Sequence, residues 1–140
     1  MTKSKRILVL NTSVELTALL VEILQDEGYD ASYAYIAELK KGILKLTDLL
    51  KTTNPDLIIY DIAIPYEENW KFFNEMAHSP ILKDTKILLT TTNKEVLDSL
   101  VGPTSTLEII GKPFDLAVLL KTIKKKLSTQ KIKTEPVVKI

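Results

Sequence analysis

Cysteine is missing from all 140 residues, which excludes a disulfide framework and any thiolate metal site. Its absence fits a reducing compartment, and the cytoplasm is the expected location. Long apolar runs are missing too. Behind the basic start Met1-Thr2-Lys3-Ser4-Lys5-Arg6 only Ile7 to Leu10 follow, too short for a signal-peptide core, and no stretch reaches bilayer-spanning length. No excess of either charge exists. Nineteen Lys and Arg face 18 Asp and Glu for a net charge of +1, so the whole-chain field makes no case for nucleic acid. Aromatic residues are few, at 6%, and none falls among the lysines that dominate from Lys121 onward. The stacking platform of single-stranded nucleic acid binding is therefore lacking. Those residues (Lys121, Lys124, Lys125, Lys126, Lys131, Lys133 and Lys139, against Glu135 alone) read as a solvated helix face running into a tail. Neither nucleic acid nor a membrane is expected as a partner. No GxGxxG, P-loop, GxSxG or HExxH pattern occurs.

What is present describes an ordinary globular chain: 45% hydrophobic and 26% charged residues, most simply one domain with a core of its own. Five apolar runs of strand length, at 6–11, 29–35, 56–61, 86–91 and 107–111, alternate with helical patterns. Such alternation predicts βαβ units and a parallel sheet. Three runs are nearly unbroken Ile, Leu and Val, as strands covered on both faces require, while 29–35 is more polar and suits an edge. Helices are expected at 14–27, 37–51, 68–77, 93–100 and 116–127. In the first, Leu16, Leu19, Leu20, Ile23 and Leu24 form one stripe that Gly28 stops. In the second, Leu39, Ile43, Leu46, Leu49 and Leu50 run up to Asn54-Pro55. Thr12-x-x-Glu15 and Thr92-x-x-Glu95 read as capping boxes for the first and fourth helices. Trp70, Phe72 and Phe73 read as core and rim of the third helix, and His78 as a loop residue. Right-handed crossovers favour an α/β, flavodoxin-like, doubly wound five-stranded parallel sheet of order 2-1-3-4-5 with helices on both faces. Residues 1–127 form the expected domain and 128–140 a C-terminal tail or linker.

Polar residues close several of these runs. Asn11-Thr12 ends the first, Asp61 the third, Thr90 sits near the end of the fourth, and Lys112 follows the fifth in Gly111-Lys112-Pro113-Phe114. An acid, a hydroxyl and a cation would meet where α/β sheets place their sites, outside the carboxyl ends of the strands. This ordered set, with Asp56-Leu57-Ile58-Ile59-Tyr60-Asp61 and Pro65 beyond it, resembles the receiver domain of two-component response regulators over about residues 5–127.

The resemblance implies that Asp61 is a phosphoacceptor, its carboxylate taking a phosphoryl group to form a mixed anhydride. It implies that Lys112 pairs with Asp61 or the phosphoryl oxygens, aimed by a cis Lys112–Pro113 bond, and that Thr90 hydrogen-bonds the phosphoryl group. Thr91 and Thr92 are rivals for the last role. Such domains act with a histidine kinase or another signalling protein and are not enzymes beyond phosphoryl acceptance and autodephosphorylation. They also pair through the face of the fourth helix, fifth strand and fifth helix, so a homodimer is one expected assembly. Receivers bind Mg²⁺ with two acids after the first strand and the central aspartate. Here Asn11 and Thr12 stand at the positions of that pair, leaving Asp61 the one carboxylate and predicting weak Mg²⁺ binding. Ile109 replaces the aromatic residue usual three positions before the lysine, which suggests a packed position rather than a rotamer switch.

Two readings of this site follow: a pseudo-receiver acting by protein–protein binding with weak or absent phosphorylation, and a working phosphoacceptor that recruits Mg²⁺ with its phosphodonor. A third, a small flavodoxin-like enzyme or ligand-binding protein, needs a phosphate-cradling loop after the first strand. Asn11-Thr12-Ser13 has hydroxyls but no glycine.

Overall fold

The computed structural model describes residues 4–102, 108–112 and 115–128. It contains two compact units, residues 1–61 and 62–140. The strand order is β2-β1-β3-β4, that of an α/β flavodoxin-like fold with a parallel sheet, and a short β5 runs beside β4.

In the first unit β1 (Arg6–Asn11) lies between β2 (Asp30–Tyr35) and β3 (Leu57–Ile62), all parallel. Ile7, Leu8, Val9 and Leu10 are wholly buried, as are Leu57 and Ile58, which is why these strands read as unbroken apolar runs. β2 takes the edge, with Tyr33 exposed, in line with its more polar composition. The amino ends of the three strands are tied together. The Asp56 carboxylate accepts the Arg6 N–H at 2.9 Å, the Asp30 N–H donates to the Lys5 carbonyl, and the Arg6 guanidinium lies 3.9 Å from the Asp30 carboxylate.

Helix α1 (Val14–Asp26) packs on β1 and β2. Its inner face differs from the expected stripe: Leu20 and Leu24 are buried together with Thr17, whereas Leu19 is turned to solvent. Thr17 tolerates burial because its hydroxyl donates to the Ser13 carbonyl at 2.6 Å. The helix expected at 37–51 is two helices, α2 (Ile36–Lys40) and α3 (Leu46–Thr53). Gly42, at φ +74°, takes the left-handed conformation that ends a helix, and Ile43 is left 70% exposed between them.

In the second unit α4 (Tyr66–Ala77) follows a cis Ile64–Pro65 bond and starts two residues before the expected 68. Trp70 and Phe73 are buried with ring centroids 5.6 Å apart, and Phe72 is half-buried, matching the expected core and rim. His78 caps the helix, its Nδ1 2.7 Å from the Asn74 carbonyl. A 3₁₀ turn, Pro80–Leu82, leads into β4 (Lys86–Thr91). Then come α5 (Lys94–Val101), β5 (Glu108–Gly111) and α6 (Leu116–Ser128), the last burying Leu119 and Ile123. Leu107, Pro113 and the tail from 129 to 140 lie outside the described residues. No described helix is long and apolar enough to cross a membrane.

Candidate functional site

Each unit gathers polar residues at the carboxyl ends of its strands. In the first, the ladder that sets Leu10 opposite Tyr60 carries Asn11 and Asp61 to the same end of neighbouring strands. Both are buried, at 2% and 3% exposure, which polar side chains accept only for a reason. The Tyr60 phenol is pushed well above the usual tyrosine range, chiefly by burial and secondarily by the adjacent Asp61 charge.

The Asn11 oxygen serves its own turn. Oδ1 accepts the Thr12 N–H at 2.7 Å and the Ser13 N–H at 3.0 Å, so the side chain folds the β1–α1 connection onto itself. Ser13, and not Thr12, then caps α1, its Oγ accepting the Leu16 N–H at 3.1 Å. This corrects the capping box expected at Thr12 and Glu15. With Asn11 holding the turn, the cap falls one residue later, and Thr12 and Glu15 are exposed. Magnesium normally takes one or two carboxylates with substrate oxygens. Asp61 supplies a carboxylate at the end of β3, the Asn11 amide oxygen at the end of β1 already accepts two hydrogen bonds, and among the described residues no cluster of three or more His, Asp or Glu forms. This donor set fits a resident Mg²⁺ poorly.

In the second unit Thr91 lies opposite Gly111, so Lys112 begins one residue past the paired ladder. Thr90 is buried at 1% exposure and Lys112 is half-buried. The rivals of Thr90 are committed elsewhere. The Thr91 hydroxyl, itself fully buried, donates to the Ile62 carbonyl at 2.9 Å, and the Thr92 hydroxyl sits 2.6 Å from the Tyr66 hydroxyl. Asn93, not Thr92, caps α5, its Oδ1 accepting the Val96 N–H at 3.1 Å, a second one-residue correction to an expected capping box. Asn69 adds a further tie, its amide donating to the Ala63 carbonyl at 2.8 Å. Gly111 meets α5 closely: a Cβ there would stand 3.1 Å from the Lys94 Cβ. Ile109 is half-buried rather than enclosed. The cis bond expected at Lys112–Pro113 involves a residue outside the description.

Tyr66 and Asn69 escaped the sequence reading because no spacing marks them. Ser13 and Asn93 do carry a signal, being strong cap formers directly after Thr12 and Thr92.

No family model matches the chain. A relative, Protein Rrf1 of Nitratidesulfovibrio vulgaris, is 25% identical over 124 residues, covering 89% of this chain and 83% of Rrf1. The solved structure of chemotaxis protein CheY4 of Vibrio cholerae superposes with a TM-score of 0.64 at 24% identity, over 88% of this chain and 98% of CheY4. A chain from the complex of histidine kinase ThkA with response regulator protein TrrA gives a TM-score of 0.57 at 26% identity, over 89% of this chain and 99% of its own. With these likenesses, and with polar residues at the strand ends, the chain has the receiver fold of two-component response regulators.

Proposed function

We propose that this chain is a receiver-like signalling domain that acts mainly by protein–protein binding, with phosphoryl transfer to Asp61 weak or absent. The observation that carries this reading is the β1–α1 turn, where the Asn11 oxygen is held by two backbone N–H groups and Thr12 faces solvent. In this reading Asp61 is the acceptor position, and Thr90 and Lys112 are the hydroxyl and the cation that the receiver resemblance assigns to its chemistry. β5 is then the fifth strand of a 2-1-3-4-5 sheet, residues 1–127 are the domain and 128–140 a tail or linker. Magnesium binds weakly if at all, and the chain works in the cytoplasm. Its partner is a histidine kinase or another signalling protein, a proposal supported by the ThkA–TrrA complex among the structural neighbours. Pairing of two copies through α5, β5 and α6 is the assembly to look for.

A second reading, a working phosphoacceptor, is favoured by the retention of Asp61 at the end of β3 and Lys112 after β5. In that case an Asp61 carboxylate oxygen attacks the phosphorus of acetyl phosphate, the phosphorus–acetate bond breaks and acetate leaves. Intact mass after incubation with acetyl phosphate and Mg²⁺, with Asp61→Asn as control, separates the two. We expect no adduct on the folded protein while a known receiver labels in parallel. One phosphoryl group on the wild type alone would overturn the leading reading in favour of the second.

A further inference from the structure

From Ile7 to Leu39 the chain carries Glu15, Glu22, Asp26, Glu27, Asp30 and Glu38 and not one Lys, Arg or His. Against a net charge of +1 for the whole chain, this stretch is strongly acidic. Arg6, 3.9 Å from Asp30, offsets part of it at one end. The same stretch holds an open groove of about 280 Å³ between α1 and β2. Val14, Ala18, Val21 and Glu22 line it from α1, since positions three and four apart share a helix face. Tyr33 and Tyr35 line it from β2, on one face of the strand, with ring centroids 5.6 Å apart and planes tilted by 58°. β2 is the edge of the sheet and the groove stays open, with Tyr33 53% and Val14 60% exposed.

We propose that this groove binds an arginine on a basic segment of a partner protein. Its lining matches the three parts of that side chain. Val14, Ala18 and Val21 suit the alkyl stem, the tyrosine faces attract the planar guanidinium, and Glu22 supplies the opposite charge. Lysine would keep the charge and lose the stacking. Size argues for a side chain rather than a free small molecule. Sites that enclose small molecules run to about 300–1,000 Å³ and bury most of the ligand. This groove is smaller and open. The acids around it draw a basic segment to this face and repel an acidic one. Lys121, Lys124, Lys125 and Lys126 of α6 make a second copy of the chain the competing occupant. That contact would join two different surfaces, closing only as a ring or running on as a filament, so a separate partner is favoured. Binding here needs neither Asp61 nor a phosphoryl group, and so goes beyond the receiver reading.

The full chain is titrated with a capped peptide holding one arginine between two leucines, and backbone amide shifts are followed. A second peptide has glutamate in place of the arginine. Saturable shifts are expected at Ala18, Val21, Glu22, Tyr33 and Tyr35 with the arginine peptide and not with its counterpart. Glu22→Gln and Tyr33→Ala, both at exposed positions, should each weaken the arginine peptide at least about threefold. Asp61→Asn should leave it unchanged. Equal shifts from both peptides, no shifts at these residues, or full affinity in both groove variants overturns the site. Sedimentation that shows the wild type self-associating, with the association lost in Glu22→Gln, also overturns it by seating a second copy in the groove. Failure of acetyl phosphate labelling bears on the receiver reading and leaves this titration untouched.

Discussion

The turn that leaves β1 and the turn that leaves β4 are built from similar parts and do opposite things. Each is a short polar connection from a buried strand to a capped helix, Asn11-Thr12-Ser13 in one and Thr91-Thr92-Asn93 in the other. In the first, the buried Asn11 side-chain oxygen accepts the two N–H groups directly after it. In the second, the side chains reach outward, Thr91 to Ile62 and Thr92 to Tyr66. The first turn spends its buried amide oxygen on itself, while the second is tied to the residues around it. The difference teaches that two turns of similar composition can use their polar side chains in opposite ways, one inward and one outward.

Substitution can break that contrast. Thr91→Val leaves the buried Ile62 carbonyl short of a donor and should cost about 2 kcal/mol in urea unfolding, with Thr91→Ser costing clearly less. If Thr91→Val is neutral, the outward bonds are not what holds the second turn. Restoring two acids, Asn11→Asp with Thr12→Asp, should raise Mg²⁺ affinity by about tenfold or more in calorimetric titration, since hard cations follow the number of carboxylates. An unchanged affinity would show that more than the missing charges separates this turn from a metal site. The two caps should behave alike: Ser13→Ala and Asn93→Ala are each expected to lose about 1 kcal/mol. Tyr66→Phe and Thr12→Ala touch exposed groups and should stay within about 0.5 kcal/mol of wild type. A larger loss in Thr12→Ala than in Ser13→Ala would return the cap to Thr12.

The buried strands were legible because burial on both faces leaves nothing but Ile, Leu and Val to write them, as in Ile7 to Leu10 and Leu57 to Ile59. The second helix was misread for a related reason. Leu39, Ile43, Leu46 and Leu50 keep helical spacing across Gly42, and periodicity outweighed the single residue whose backbone ends the helix. Both capping boxes slipped by one because Thr-x-x-Glu is a pattern of types, and it does not say which of two adjacent capping residues leaves the strand first. At the candidate site, Asp61, Thr90 and Lys112 stood out by lying at strand ends. Thr91 did not: a β-branched residue closing a strand is what packing alone would choose, and its second use as a donor shows only when Ile62 is placed opposite it.

Glycine within a strand usually weakens it, giving up side-chain packing and adding freedom to the unfolded chain. At position 111 that weakness has a beneficiary elsewhere. The volume an alanine methyl would fill is already edged by the Lys94 stem, so any side chain there must push the opening turn of α5 outward by a few tenths of an ångström. Position 111 therefore belongs to the footprint of a helix that begins seventeen residues before it in the chain. Its tolerance to mutation will be set by how far that helix can yield, and not by anything the strand itself requires.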